Sequence, residues 1–298
     1  MKSDISKSRE NKQKNDLQNL MGQLSQDTPR RVEIAQEVGV SNWLTALPIR
    51  AKGFSLNKEE FSDAIALRYG WQLDGLPAQC ACGTAFSPDH AMTCKTGGFV
   101  CMRHDEVRDI TAQMLKEVCH DVTVEPMLIP MNGERLAHRT ANAASEARVD
   151  VSARGFWTRE QKAFFDIRIF DPMAQCHRES SLHAAHRRNE QEKERAYGER
   201  IRHVDQGSFT PLVFSTSGGM GPRARVFYAR LAENLADRKR QPRSSVVAWM
   251  RCRLSFSLLR SALDCLRGTR ARAPRVTDVA DLDFEATVVD CRLNETFL

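Results

Sequence analysis

Four residues able to bind a soft metal fall within fifteen positions of one another. Cys80, Cys82, His90 and Cys94 lie in CACGTAFSPDHAMTC, the pattern C-x-C-x7-H-x3-C. Zn2+ takes four thiolate or imidazole ligands in a tetrahedron, and a short knuckle can deliver them from two local turns. Gly83, next to Cys82, permits the tight backbone that the first turn needs. The one-residue gap between Cys80 and Cys82 is shorter than the two to four residues usual between zinc ligands. Cys101 therefore stands as a spare ligand. In the alternative reading the thiols are unrelated buried groups and His90 is hydrogen-bonded in a helix cap.

A second set of residues is acidic. Asp150 lies in ARVDVSARG and Asp166 in KAFFDIRIF, each inside an apolar run of strand character. Burying a carboxylate in a sheet costs several kcal/mol unless it is paired or binds a cation. Two such residues on adjacent strands point to a divalent metal, Mg2+ or Mn2+, held by oxygen ligands. Arg168 follows Asp166 by two residues and so shares its face of the strand, where a cation would polarise a phosphodiester or orient water. A structural salt bridge of Asp166 with Arg168 or Arg148 is the alternative. Glu125, just before Pro126, is a candidate third acid or a strand-edge surface charge. In HRRNEQEKERAYGER, Lys193 and Tyr197 are four residues apart on one helical face. Lys193 joins the acids only where that helix packs on the strand carrying Asp166.

Elements that could hold these residues follow from periodicity. Helical spacing at Val107, Ile110, Met114, Leu115 and Val118 predicts a helix over residues 106–118. Strands are expected over 122–129, 147–153 and 163–170, a long charged helix over about 180–204, and a further strand over 210–215, giving the order α-β-β-β-α-β. Composition divides the chain into a flexible polar lead (1–38), a helical linker module (39–78), the Cys/His knuckle (79–101), an α/β core (102–220) and a basic helical tail (221–298). Trp43, Leu44, Leu47, Phe61, Ile65, Leu67 and Trp71 are the apolar positions of the linker module, its helices broken at Pro48 and Gly53. The 298 residues carry a net charge of +6 and a pI near 8.9. Residues 221–275 hold 14 Lys/Arg against 3 Asp/Glu, which favours an anionic partner contacted through phosphates. No apolar run reaches the 18 residues of a membrane span, and the first residues lack the apolar region of a secretory signal. An intracellular protein with reduced thiols is expected.

The run from the knuckle through RHDEVRD, VEP, ARVD, FFDIR and the Lys193/Tyr197 helix, about residues 78–215, resembles the carboxy-terminal region of non-LTR retrotransposon proteins with a restriction-like endonuclease, a branch of the PD-(D/E)xK superfamily. LTALPIRAKGFSL and EFSDAIALRYGW look like the linker that precedes the knuckle in such proteins. The resemblance implies an α/β (α+β) restriction-endonuclease-like αβββαβ core with a preceding CCHC zinc knuckle and flanking helices. It implies zinc at Cys80, Cys82, His90 and Cys94, catalytic metal at Asp150 and Asp166, Lys193 as the catalytic lysine, and substrate contacts at Arg103, His104 and Tyr197. Asp105 stands where the family has Asn, Val149 where it has proline, and Arg168 where it has lysine. A guanidinium stays protonated and cannot act as a general base, so activity leans on Lys193. No F/Y-x-D-D reverse-transcriptase signature occurs in the chain, which suggests an endonuclease part, a truncated copy or a host-adopted descendant.

Two functions are expected from this reading: a Mg2+-dependent DNA endonuclease, or a catalytically inactive nucleic-acid-binding module that keeps the knuckle and the fold. DNA is the expected partner, with the element's RNA as a further ligand, and the nucleus the expected location.

Overall fold

The computed structural model describes residues 28–129 and 148–268, together with 11, 12, 15, 16 and 19. Most of the polar lead, the segment before Arg148 and the chain beyond Gly268 lie outside the described residues. Among these residues the protein is a mixed α/β structure built on one four-stranded sheet of order β1-β2-β3-β4. β1 is His120–Val124, β2 Val151–Arg154, β3 Lys162–Phe170 and β4 Ser208–Ser215. β1, β2 and β3 pair antiparallel, whereas β3 and β4 pair in parallel over their full length, from Ala163↔Ser208 to Phe170↔Ser215. The parallel pair requires a crossover, and the long charged helix supplies it.

The strand boundaries follow from the chemistry at their ends. β1 stops at Val124, short of the expected Ile129, because Glu125 adopts a left-handed φ of 51° and Pro126 follows. β3 buries apolar residues on both faces, as a strand covered on both sides does. Val107, Ile110, Met114 and Leu115 of helix α1 (Phe99–Lys116) pack on the face carrying Phe165, Ile167, Leu212 and Phe214. Phe164 meets Tyr197 and Ile201 on the other face, while Phe170 and Val213 meet Ala185. The core therefore lies in two layers, one on each side of the sheet.

Helix α1 begins seven residues before the position expected from apolar periodicity, at Phe99 after Gly98. Its first turns carry His104 and Arg108 to Asp150 and Glu125 at the sheet, and Arg103 to the knuckle and α3.

The described part of the segment expected as a basic tail, up to Gly268, is an internal part of the fold. Helix α2 (Pro222–Lys239) and helix α3 (Arg243–Arg267) bury Phe227, Leu231 and Leu235, and Val246, Trp249, Leu254 and Phe256, in the main core. Apolar residues between the arginines make this possible, and the arginines serve as cross-links. Arg260 donates to the Ser55 carbonyl at 2.7 Å, and Arg267 forks onto both carboxylate oxygens of Asp63 at 3.0 Å. The linker module and the knuckle both dock on α3. Phe54 stacks on Phe256 at 5.4 Å, and Ala91 and Met92 pack against Ala262, Cys265 and Leu266.

Two further expectations change. Residues 28–36, assigned to a flexible lead, form a docked helix whose Arg30 donates to the carbonyls of Pro172, His177 and Ser180. In the linker module Trp43 is buried, but Phe61 and Trp71 are 49% and 62% exposed, so apolar character there does not translate into core.

Candidate functional site

The acidic centre is assembled from β3, the bend before β2, α1 and the crossover helix. In the register Val151↔Phe165, Asp150 follows on directly toward Asp166. Asp150 Oδ2 accepts from the Ile167 amide at 2.6 Å, which fixes its carboxylate beside the residue that follows Asp166. Both acids are buried, Asp166 to 3% exposure. The crossover consists of helix Leu182–Lys193, a π-helical turn Glu194–Gly198 and a short helix Glu199–His203. It covers the Asp166 face of β3, and Lys193 Nζ reaches Asp166 Oδ2 at 2.7 Å. Lys193 also lies 5.5 Å from the centre of the Tyr197 ring. A π turn widens the helix locally and is often found at functional sites; here it begins directly after Lys193.

The electrostatics follow from this packing. Burial, and then the charge on Asp150, push the Asp166 carboxyl up to about 6, against the pull of Lys193 and His104. His104 Nε2 lies 3.1 Å from Asp150 Oδ2 and 3.2 Å from the Ile167 carbonyl, and its Nδ1 is 3.5 Å from Asp105. Burial opposes the imidazolium, but Asp150, Asp105 and Asp166 outweigh it and raise the His104 pKa.

The other expected site residues fall in different places. Glu125 is clamped by Arg108 at 2.8 Å and Arg148 at 2.7 Å, so its carboxylate serves a salt-bridge network. Arg168 is exposed and donates to Asn189 Oδ1 at 3.3 Å. The ion partner recorded for Asp166 is Lys193. Arg103, expected at the substrate, is 2% exposed; its guanidinium donates to the Met92 carbonyl at 3.0 Å and lies beside Cys265, joining the knuckle to α3. It sits on the core side of α1, one residue from His104, and adjacent helical residues point in different directions. Tyr197 is likewise buried, tilted against Phe209 at 5.7 Å. The role of Arg108 was not expected, although it stands four residues after His104 on the same helix, a spacing visible in RHDEVRD.

The knuckle brings its four expected ligands together: the ligand atoms of Cys80, Cys82, His90 and Cys94 all lie within 4.8 Å of one another. A tight turn closed by Gly83 N to Cys80 O at 2.8 Å presents the first two, with Gly83 at φ 89°. A one-residue gap suffices because this left-handed glycine reverses the chain directly after Cys82. A short helix, Pro88–Thr93, is capped by Ser87 through the His90 amide and presents His90, with Cys94 at its end. Zn–S bonds of about 2.3 Å at tetrahedral angles require sulfur atoms about 3.8 Å apart. Cys80 Sγ and Cys94 Sγ are 3.8 Å apart, and Cys82 Sγ is 3.3 Å from His90 Nε2. The Thr84 hydroxyl and amide hold the Cys82 thiol down at about 6, in the direction of the metal-binding thiolate. The cluster can hold a metal ion and its dimensions are compatible with zinc. Cys101 is exposed on α1 and outside the cluster.

Among the described residues no helix is long and apolar enough to cross a membrane. Neither the protein-family models nor the curated proteins contain a match to this chain.

Proposed function

We propose that this chain is a divalent-cation-dependent DNA endonuclease with a restriction-endonuclease-like core behind a zinc knuckle, of the kind carried by non-LTR retrotransposon proteins. The observation that carries this reading is the meeting of Asp150, Asp166 and Lys193 from three elements, with Lys193 Nζ 2.7 Å from a carboxylate that is 3% exposed. The α-β-β-β-α-β order, with β3 and β4 parallel across a covering helix, supports it.

The oxygen donors fit Mg2+ or Mn2+. The carboxylates of Asp150 and Asp166 and the Ile167 carbonyl are hard ligands of the type these cations take; Asp150 and the Ile167 carbonyl meet at His104 Nε2, and Asp166 feels the charges of Asp150 and His104. Asp150 and Asp166 would hold the ion, which supplies charge neutralisation at the phosphate and a water of lowered pKa. Lys193 keeps the Asp166 carboxylate ionised inside the fold and puts a positive charge where phosphate charge develops. His104 orients Asp150, and Arg168, steadied by Asn189, adds a permanent positive charge at the open end of the strand. Zn2+ in the knuckle would tie the Cys80–Cys82 turn to the Pro88–Thr93 helix, which packs on α3 through Ala91 and Met92. DNA is the substrate, the element's RNA a further ligand, and the nucleus the place of action.

The inactive nucleic-acid-binding module is favoured by one observation: Asp150 and Asp166 already have protein partners in His104 and Lys193. Nicking of supercoiled plasmid separates the two readings. With Mg2+ or Mn2+ the native protein should nick, Asp150→Ala and Asp166→Ala should abolish nicking with DNA binding kept, and Lys193→Ala should slow it at least about 100-fold. No nicking with either cation would leave the binding module standing, and full activity in Asp166→Ala would remove cleavage from the Asp150–Asp166 centre.

A further inference from the structure

The crossover helix Leu182–Lys193 lies along β3 with one helical turn matched to two strand residues. Lys193 meets Asp166, Asn189 meets Arg168, and Ala185 and His186 meet Phe170, the rings of His186 and Phe170 being 4.9 Å apart. Four helical residues rise about 6.0 Å and two strand residues about 6.6 Å, so the match holds over all three positions. Arg168 is thus held one step from the acidic centre, on the same face of the strand.

Arg188 belongs to the same helix, one residue before Asn189. Asn189 Nδ2 donates to the Ala185 carbonyl at 2.9 Å, which turns its Oδ1 to Arg168 Nε at 3.3 Å. Arg188 Nη1 donates to the Cys176 carbonyl at 3.4 Å. The next residue is His177, whose ring lies 4.9 Å from that of Phe170, two residues beyond Arg168 on β3. A closed ring of contacts therefore runs from Arg168 through Asn189, Arg188, Cys176 and His177 to Phe170 and back. The charges agree with it: burial first, and then Arg188, Arg30 and Arg168, lower the His177 pKa, with Glu192 opposing.

Arg168 and Arg188 are both exposed. Among the described residues each spends one nitrogen on its single hydrogen bond and forms no ion pair. Arg30, the third cation near His177, is committed to Glu33 and to the carbonyls of Pro172, His177 and Ser180. Glu192, four residues after Arg188, weakens the local field but pairs with neither arginine. Two guanidinia gathered about one imidazole are an unneutralised pair of permanent charges, and their remaining donors have the fork geometry that suits a phosphate.

We propose that Arg168 and Arg188 together grip one phosphate of the bound DNA strand, beside the phosphate attacked at Asp150 and Asp166, and so set the register of the strand on the acidic centre. The placement beside the attacked phosphate rests on the nuclease reading; the grip itself does not. Two residues of β3 separate Arg168 from Asp166 by about 6.6 Å, on the order of one or two phosphate steps along the axis of a strand at about 3.4 Å each. The fixed charge that disqualifies Arg168 as a general base suits it to this role. Contacts to phosphate alone position a strand without choosing its sequence.

The test measures binding of the full chain to a fluorescent DNA duplex by anisotropy, without added divalent cation so that no strand is cut, between roughly 50 and 200 mM salt. Each neutralised phosphate contributes about 0.9 to the slope of log affinity against log salt. Arg168→Gln and Arg188→Gln should each lower the slope by about one, and the double variant by about one in total, because both lose the same phosphate. Their melting temperatures should match that of the native protein, since both side chains are exposed. A methylphosphonate, a phosphate analogue without charge, placed at single positions around the main nick then locates the contact. At one flanking position it should slow nicking by the native protein about tenfold and leave the rate of the double variant unaltered. No nicking by the native protein would remove the nuclease reading and the placement with it, and the slopes would still decide the grip. An unchanged slope in either single variant, a loss of about two in the double variant, or a methylphosphonate penalty equal in native and double-variant protein would overturn the proposal.

Discussion

Lys193 meets Asp166 because even-numbered residues of β3 face the crossover helix, and the last turn of that helix ends above the middle of the strand. The same alternation turns Arg168 toward the helix, where Asn189 receives it. Packing geometry thus decides which of two nearby cations pairs with the acid. His177 shows a comparable effect with a measurable consequence. Its ring lies 4.9 Å from Phe170, and burial, followed by the charges of Arg188, Arg30 and Arg168 with Glu192 opposing, lowers its pKa below the ordinary 6.5. A histidine with a depressed folded pKa binds its proton more weakly in the fold than in the unfolded chain. Its contribution to stability is therefore present above about pH 6.5 and is lost as pH falls below that value. His177→Gln should flatten this part of the stability curve and change stability at about pH 8 by no more than about 1 kcal/mol. Denaturant unfolding at about pH 5.5 and 8 measures both, and an unchanged slope would exclude His177 as its source.

Helix α1 links the two candidate sites at the scale of elements. His104 and Arg108, one turn apart, face Asp150 and Glu125, while Arg103 points back to the knuckle and α3. The knuckle is too small to bury a core of its own. Its apolar contacts, Ala91 and Met92, belong to a cluster anchored by α3, and a metal bound by the four ligands would supply further order. Purified protein should contain about one zinc per chain, and His90→Ala should lower that content. Chelation should release amide-exchange protection in residues 80–94 while β3 and β4 stay protected, because their core cluster contains no knuckle residue. Unaltered exchange after complete metal removal would show that hydrogen bonds alone hold the knuckle.

Across the molecule, basic charge among the described residues divides into two populations. Arg260 and Arg267 are cross-links between α3 and the linker module, whereas Arg238 and Arg240 at the end of α2 are exposed. Only the second population is available to phosphates. Replacing Arg238 and Arg240 together by Gln should leave the melting temperature nearly unchanged and reduce the salt slope of DNA binding by up to about one unit per lost phosphate contact. Arg267→Ala should destabilise the fold, since Asp63, at 6% exposure, would lose both of its hydrogen bonds to the guanidinium. An unaltered slope in the double variant would assign DNA contact to another surface. A protein lacking α3 should not fold cooperatively, since the main core, the linker module and the knuckle all pack on it.

The four knuckle residues, the order of strands and helices, and the need of Asp150 and Asp166 for partners were legible from local pattern, whereas the pairing of Asp166 with Lys193 depended on how the crossover helix packs. Metal-ligand spacing and strand alternation are short-range properties, and a carboxylate in an apolar run announces its need for a partner wherever it folds. What the tertiary structure decided depends on contacts between distant segments. Arg103 reads as a site residue beside His104, yet one residue of helical rotation turns it inward. Residues 222–267 read as a basic tail because composition counts arginines without regard to direction, whereas the apolar residues between them form a face that only the assembled sheet and linker module could cover. The meeting of Arg168 with Arg188 is invisible in FFDIR, since it arises where the crossover helix lies along β3.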